Sequence, residues 1–267
     1  MTQVKQYKPV DLRLLHHAPA EKTLAVLNKY RAHPDKRIRF FTFDCIANVA
    51  LGSDNARASK EGVRQLLDSA EKDTSYSTRA LENLIQFPHT AFLQQKSRQA
   101  IDRLLRAPTP YAEAVLVAGV SESPSAKPRL KNLARGPLNT NGSISRRRAP
   151  WVAHLALARM GDKKEIQFCI DTVENTQDPQ TQLSLFEDLD YIRQPETMRT
   201  LISYLFSNRL VRGGSPDDST ASYAYFALSM LRRGIVGFPT NQDQGGDVLT
   251  QARAWSLMHR NNLPIKR

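Results

Sequence analysis

Two cysteines in 267 residues are too few for a disulfide framework. Cys45 and Cys169 lie more than a hundred residues apart, each inside an apolar helical pattern. Both are expected as reduced thiols that pack like small hydrophobes. Glycine is also sparse, at 12 residues, and clean alternation of Val, Ile and Thr is rarer still, which argues against a sandwich or barrel. No segment approaches the roughly 18–20 apolar residues of a membrane span. The opening MTQVKQYKPVDLRLL lacks the apolar run of an export signal. A cytoplasmic protein is the expectation, a chain whose signal has been removed being the alternative.

Motifs that carry chemistry are missing as well. The chain has no Gly-rich phosphate loop, no GxSxG elbow, no CxxC and no HExxH. Its six histidines are His16, His17, His33, His89, His154 and His259, and only the first two are adjacent. Neighbours on a helix point about 100° apart and chelate poorly. No metal site, no cofactor and no catalytic residue is expected, and the balance leans away from an enzyme.

What is present is charge, unevenly placed. Residues 1–150 hold 25 Lys and Arg against 13 Asp and Glu, whereas residues 151–267 hold 13 against 13. Within 96–148 the count is 11 basic against 3 acidic. A basic half beside a neutral half points to nucleic acid, a membrane surface or an acidic partner.

Apolar residues recur at helical spacing. Ile166, Cys169, Ile170 and Val173 form one stripe; Val63, Leu66, Leu67 and Ala70 form another. Met198, Leu201, Ile202 and Leu205 repeat it, and Ile101, Leu104 and Leu105 give a shorter version. Each such helix comes after another apolar one, and Ile38, Phe41, Cys45 and Val49 are expected to line the buried face of the helix near residue 40. First helices are expected near 35, 75, 110, 145, 179 and 219. Gly52 and Gly161 suit left-handed helix ends, with Asp54 and Asp162 capping the next helices. Pro19, Pro110, Pro179 and Pro195 suit first helical turns, Asp178 suits an N-cap, and Pro150 should start or kink its helix. Two helices per step of about 35–40 residues is the pattern of an α-solenoid.

APWVAHLALARMGDKKEIQFCIDTV resembles a HEAT repeat of the short bacterial type. Ala153, Ala156 and Ala158 supply the small residues of its first helix, and Gly161-Asp162 supplies the turn. DKRIRFFTFDCIANVALGSDNARASKEGVRQLL is similar, with the Asp35-x-x-x-Arg39 opening. The resemblance implies an all-α right-handed superhelix of about seven helix pairs, one domain over 1–267 with a frayed tail at 261–267. It further implies a non-enzymatic scaffold that binds another macromolecule, most directly a protein, across an extended curved surface. Two enzyme classes occur on related scaffolds, DNA-repair glycosylases and tetrapyrrole lyases. Trp151 and Trp255 do not give the tryptophan-and-aspartate arrangement of the first, and no cysteine pattern holds a pigment for the second.

The candidate binding residues are basic: Arg98, Arg103 and Arg106, then Lys127, Arg129, Lys131 and Arg135, then Arg146, Arg147 and Arg148. Stacked units bring such residues about 10 Å apart, and a ridge of them would suit an acidic protein surface or a phosphate backbone. Solvated surface charge is the third possibility. RGGSPDDS at 212–219 is expected as a turn and cap, and Glu187, Asp188 and Asp190 as carboxylates on a solvated helix face. Phe226 is expected in the core, with Tyr223 and Tyr225 nearer its rim.

Overall fold

The structure is a computed structural model, and it describes residues 19–137, 149–211, 221–239 and 247–266. The fold is all-α apart from one short ladder, in which Leu210–Val211 pairs antiparallel with Ala221–Ser222. The chain divides into two compact units, residues 1–108 and 109–267. No helix among the described residues is long and apolar enough to cross a membrane.

The first unit holds α1 (Ala20–Tyr30), α2 (Lys36–Leu51), α3 (Ala56–Lys72), α4 (Ser77–Leu84) and α5 (Gln95–Leu105). Its centre is α3, which packs against the other four. The reason is its stripe: Val63, Leu66, Leu67 and Ala70 are all buried, as their spacing predicted. Each large aliphatic on it contributes about 1.5–3 kcal/mol on leaving water. Gly62 permits the closest approach, because a Cβ there would come 2.5 Å from the Ala50 Cβ on α2.

The second unit holds α6 (Ala112–Val120), α7 (Lys127–Ala134), α8 (Ala149–Arg159), α9 (Lys163–Asn175), α10 (Pro179–Ile192), α11 (Pro195–Tyr204), α12 (Tyr223–Gly234) and α13 (Val248–His259). Here α6, α8, α10 and α12 pack in sequence as one row, and α9 meets α11 behind it. Ala153, Ala156 and Ala158 are fully buried. Ala156 faces Gly119 of α6, where an added Cβ would lie 2.7 Å from the Ala156 Cα. The small residues therefore bring successive first helices together. Ile166, Cys169, Ile170 and Val173 join Met198, Leu201 and Leu205 in the core of this unit.

Helix boundaries follow local chemistry. Asp35, Asp162, Asp178 and Asp247 each accept a hydrogen bond from a first-turn backbone N–H. Pro179 and Pro195 occupy the first turns of α10 and α11, and Pro150 stands at the start of α8. Gly161, at φ +84°, is the left-handed stop that a side chain would disfavour.

Several expectations are corrected. Gly52 ends α2 at φ −76°, a right-handed value, and Asn55 rather than Asp54 caps α3. Pro19 and Pro110 precede their helices instead of lying in the first turn. The buried face of α2 is Phe43, Ile46, Ala47 and Ala50, with Val49 at its edge, whereas Phe41 is 64% exposed and Ile38 and Cys45 are half-buried. An alternative stripe was open because α2 is apolar on two sides. The tail is tied down up to Lys266. Lys266 donates to the Gly234 carbonyl at 2.9 Å, Val236 donates to Pro264 at 2.7 Å, and Ile235 bridges Ile265. The turn expected at 212–219 lies outside the described residues.

Candidate functional site: a basic helix face

The basic residues of 96–148 do not form one class. In the first unit, Arg103 is held by both carboxylate oxygens of Glu71, at 2.7 and 3.1 Å. Arg98 is half-buried, and its Nε has no hydrogen-bond partner among the described residues. Arg106 is exposed at the end of α5. Arg146, Arg147 and Arg148 lie outside the described residues.

The four cations of α7 are ordered by the helix itself. Leu130 is buried and fixes which side of α7 meets α8. Lys127, Lys131 and Arg135 then recur every fourth residue on the solvent side, all three exposed. Successive members rise about 6 Å along the axis. None of the three pairs with a carboxylate among the described residues. Arg129 is half-buried and departs from the row, being two residues from Lys127. Lys127, Lys131 and Arg135, without a carboxylate partner among the described residues, give this side of α7 a positive face.

This contrasts with Arg31, Arg39 and Arg79 of the first unit. Arg31 donates to Asp68 at 2.8 Å, Arg39 to Asp73 at 2.5 Å, and Arg79 to both oxygens of Asp44 at 2.8 and 2.9 Å. Arg31, Arg39, Lys72, Asp68 and Asp73 line a cleft of about 470 Å³ beside the loops after α1 and α3. Burial raises the Asp68 carboxyl, but hydrogen bonds from Lys72 and Arg31 outweigh it and the net shift is downward. Asp73 behaves alike: burial is overcome by Arg39 and by the backbone N–H groups of Ser75 and Tyr76. The cleft's arginines are already engaged in holding the helix ends together.

Of the three acids expected on a solvated face of α10, only Glu187 is exposed. Asp188 and Asp190 are both buried, which corrects that expectation. Asp188 accepts from the buried Trp151 indole at 3.0 Å. Asp190 lies 3.3 Å from Arg233 and 3.8 Å from Arg193. Burial pushes its carboxyl up, partly offset by Arg193, Arg233 and Arg159. Nearby, the buried Arg159 donates to the Tyr191 carbonyl, and Gln194 donates to the Arg159 carbonyl at 2.8 Å. A buried acid with a raised pKa is a common sign of catalysis. Here Gly234 and Met198 close over it, since a Cβ on Gly234 would stand 3.1 Å from Asp190 Oδ1 and 3.0 Å from Met198 Sδ. Its contacts with Gly234 and Arg233 tie α10 to α12.

The aromatic assignment is reversed in part. Tyr223 is fully buried, and its hydroxyl donates to Gln182 at 2.9 Å. Tyr225 and Phe226 are exposed. A buried Tyr needs a partner for its hydroxyl, and Gln182 on α10 supplies one. Among the described residues no cluster of His, Cys, Asp and Glu could hold a metal ion. His154 instead lies 2.5 Å from Glu165, with its ring against Phe168. Both cysteines are free thiols; Cys169 is buried and Cys45 only half-buried.

The chain matches no protein-family model and no curated protein.

Proposed function

We propose that the chain is a HEAT-like scaffold, without catalytic activity of its own, that binds an acidic macromolecular partner through the α7 face. The observation that carries the binding role is the row Lys127, Lys131 and Arg135, exposed and without neutralising acids among the described residues. An acidic protein surface is the partner it suits most directly.

The repeat character is supported by the spacing of side-chain bonds. Arg31 reaches Asp68 across 37 residues, Arg39 reaches Asp73 across 34, and Arg79 reaches Asp44 across 35. In the second unit Trp151 reaches Asp188 across 37, Arg159 reaches Tyr191 across 32, and Gln194 reaches Arg159 across 35. Arg79–Asp44 joins the α2/α3 pair to the next, and Trp151–Asp188, Arg159–Tyr191 and Gln194–Arg159 join the α8/α9 pair to α10/α11, while Arg39–Asp73 closes one pair on itself.

A phosphate backbone is the second reading, favoured by the even rise of the row. The test is fluorescence anisotropy of the full chain and of a Lys127→Ala/Lys131→Ala/Arg135→Ala variant. The probes are a labelled Glu-rich helical peptide and a labelled 20-base-pair duplex, each at low and near-physiological salt. Peptide binding that weakens about tenfold or more in the variant supports the acidic-protein reading. Duplex binding whose salt slope falls by up to about 3 in the variant supports the phosphate reading. Failure of both probes to bind at low salt overturns the proposal.

A further inference from the structure

The stripe that sequence periodicity picked on α2 is apolar and open. Ile38, Phe41 and Cys45 run along the helix, with Phe41 64% exposed and the other two half-buried. The core side of α2 carries Phe43, Ile46 and Ala50. The flank of Phe40 and Asp44 belongs to α4 and its loop, through Tyr76, Arg79 and Asn83. By helical geometry the open stripe lies on the side of α2 away from Phe43 and Ile46, with the Phe41 ring edge-on to Phe40 at 5.7 Å.

Charge at the head of the stripe decides what would cover it. Lys36 and Arg37 are exposed and pair with no carboxylate among the described residues, unlike Arg31, Arg39, Arg64 and Arg79 of the same unit. The Asp35 carboxylate caps the helix N-terminus by accepting from the Arg37 backbone N–H, and the first turn beyond it holds no acidic residue. Arg37 stands four residues before Phe41, on the same side of the helix. Residues 1–18 carry Lys5, Lys8 and Arg13 against Asp11 alone, so they meet this head with the same sign. A second copy of α2 laid parallel would do likewise. An apolar ridge with an acidic border complements the surface.

We propose that the Ile38–Phe41–Cys45 stripe docks an acidic amphipathic helix of a partner protein, with Phe41 as the anchor and Lys36 and Arg37 pairing with its carboxylates. The inference shares with the α7 reading only the sign of the partner's charge.

Cys45 supplies the reporter. Cys169 is fully buried, and burial pushes its thiol well up, so in the native chain a thiol reagent reads Cys45. The probe is a synthetic helix with Leu at three- and four-residue spacing bordered by Glu; its control replaces each Glu with Lys. Labelling of Cys45 in the full chain by an aromatic disulfide reagent is followed with each peptide, beside anisotropy of the labelled peptides. The Glu peptide is expected to slow labelling, and Phe41→Ala to weaken its binding about tenfold or more, as loss of an aromatic anchor does. Arg37→Glu should weaken the Glu peptide and strengthen the Lys peptide. The Lys127→Ala/Lys131→Ala/Arg135→Ala variant should retain full protection, which separates this site from α7. Equal protection by the two peptides, or none at saturation, overturns the proposal. So does labelling without peptide that is as slow as that of Cys169, which would assign the stripe to residues 1–18. Protection that grows with protein concentration would assign it to a second copy and overturns it too.

Discussion

Replacing Gly119 by alanine places a methyl group between two helices that leave no room for it. The new Cβ would meet the Tyr191 hydroxyl, the Ala156 Cα at 2.7 Å and the Ala156 Cβ at 2.9 Å. One gain opposes these conflicts: alanine is favoured over glycine in a helix interior by about 1 kcal/mol. Overpacking against a backbone atom costs about 1–3 kcal/mol, because α8 itself must shift. Moving Tyr191 also strains the bond its hydroxyl donates to the Leu116 carbonyl at 2.6 Å, and a buried polar group left unpaired costs about 1–3 kcal/mol. The net expectation is a loss of about 2–3 kcal/mol in the second unit. Both tryptophans, Trp151 and Trp255, lie in that unit, so fluorescence during urea unfolding reports on it selectively. With a slope of about 2 kcal/mol per molar urea, the midpoint should fall by about 1 M or more. In a Tyr191→Phe background one conflict is gone, and the same substitution should cost measurably less. An unchanged midpoint in Gly119→Ala would refute the close-approach account. An identical penalty in both backgrounds would refute the part assigned to Tyr191.

Asp68 and Asp73 should respond to acid oppositely to Asp190. Asp68 and Asp73 have folded pKa values below the ordinary 3.8, so their stabilisation is present above that value and is lost as pH falls through the folded values. Asp190 is raised, so the folded second unit binds the extra proton, and stability at this residue declines as pH rises from 3.8 through the raised value. Hydrogen exchange read by mass spectrometry at a series of pH values, with Asp190→Asn removing the second slope, checks both signs. Gln182→Leu should cost the second unit about 2–4 kcal/mol in urea unfolding, because Gln182 Nε2 donates to the Val173 carbonyl at 2.8 Å and its oxygen accepts from Tyr223 at 2.9 Å. Arg103→Ala should leave the thermal unfolding midpoint almost unchanged, since Arg103 is exposed and its pair with Glu71 is screened by solvent.

Periodicity made the helices legible wherever one face alone is apolar. The buried stripe of α3 and that of α9 could be read directly, because their polar residues leave one side for the core. On α2 the same method selected the open flank. Phe41 and Cys45 satisfy the template as well as Phe43 and Ile46 do, and only the packing of α3 and α4 shows which set is covered. The basic residues were likewise visible as a group, but their division was not. Arg103 and Lys131 look alike in the chain; Glu71 neutralises the first across 32 residues, while the second stays exposed.

The amino-acid order by itself determined the helical class, the capped starts at Asp162 and Asp178 and the left-handed stop at Gly161. These depend on bonds, steric limits and apolar spacing within a few residues. Tertiary structure decided the burial of Asp188 and Asp190, the reversal of Tyr223 and Phe226, and the anchoring of the tail at Gly234. Each depends on a partner about 30 or more residues away in the chain. A carboxylate on a helix carries no local mark of burial until Trp151, Arg193 and Arg233 are brought to it.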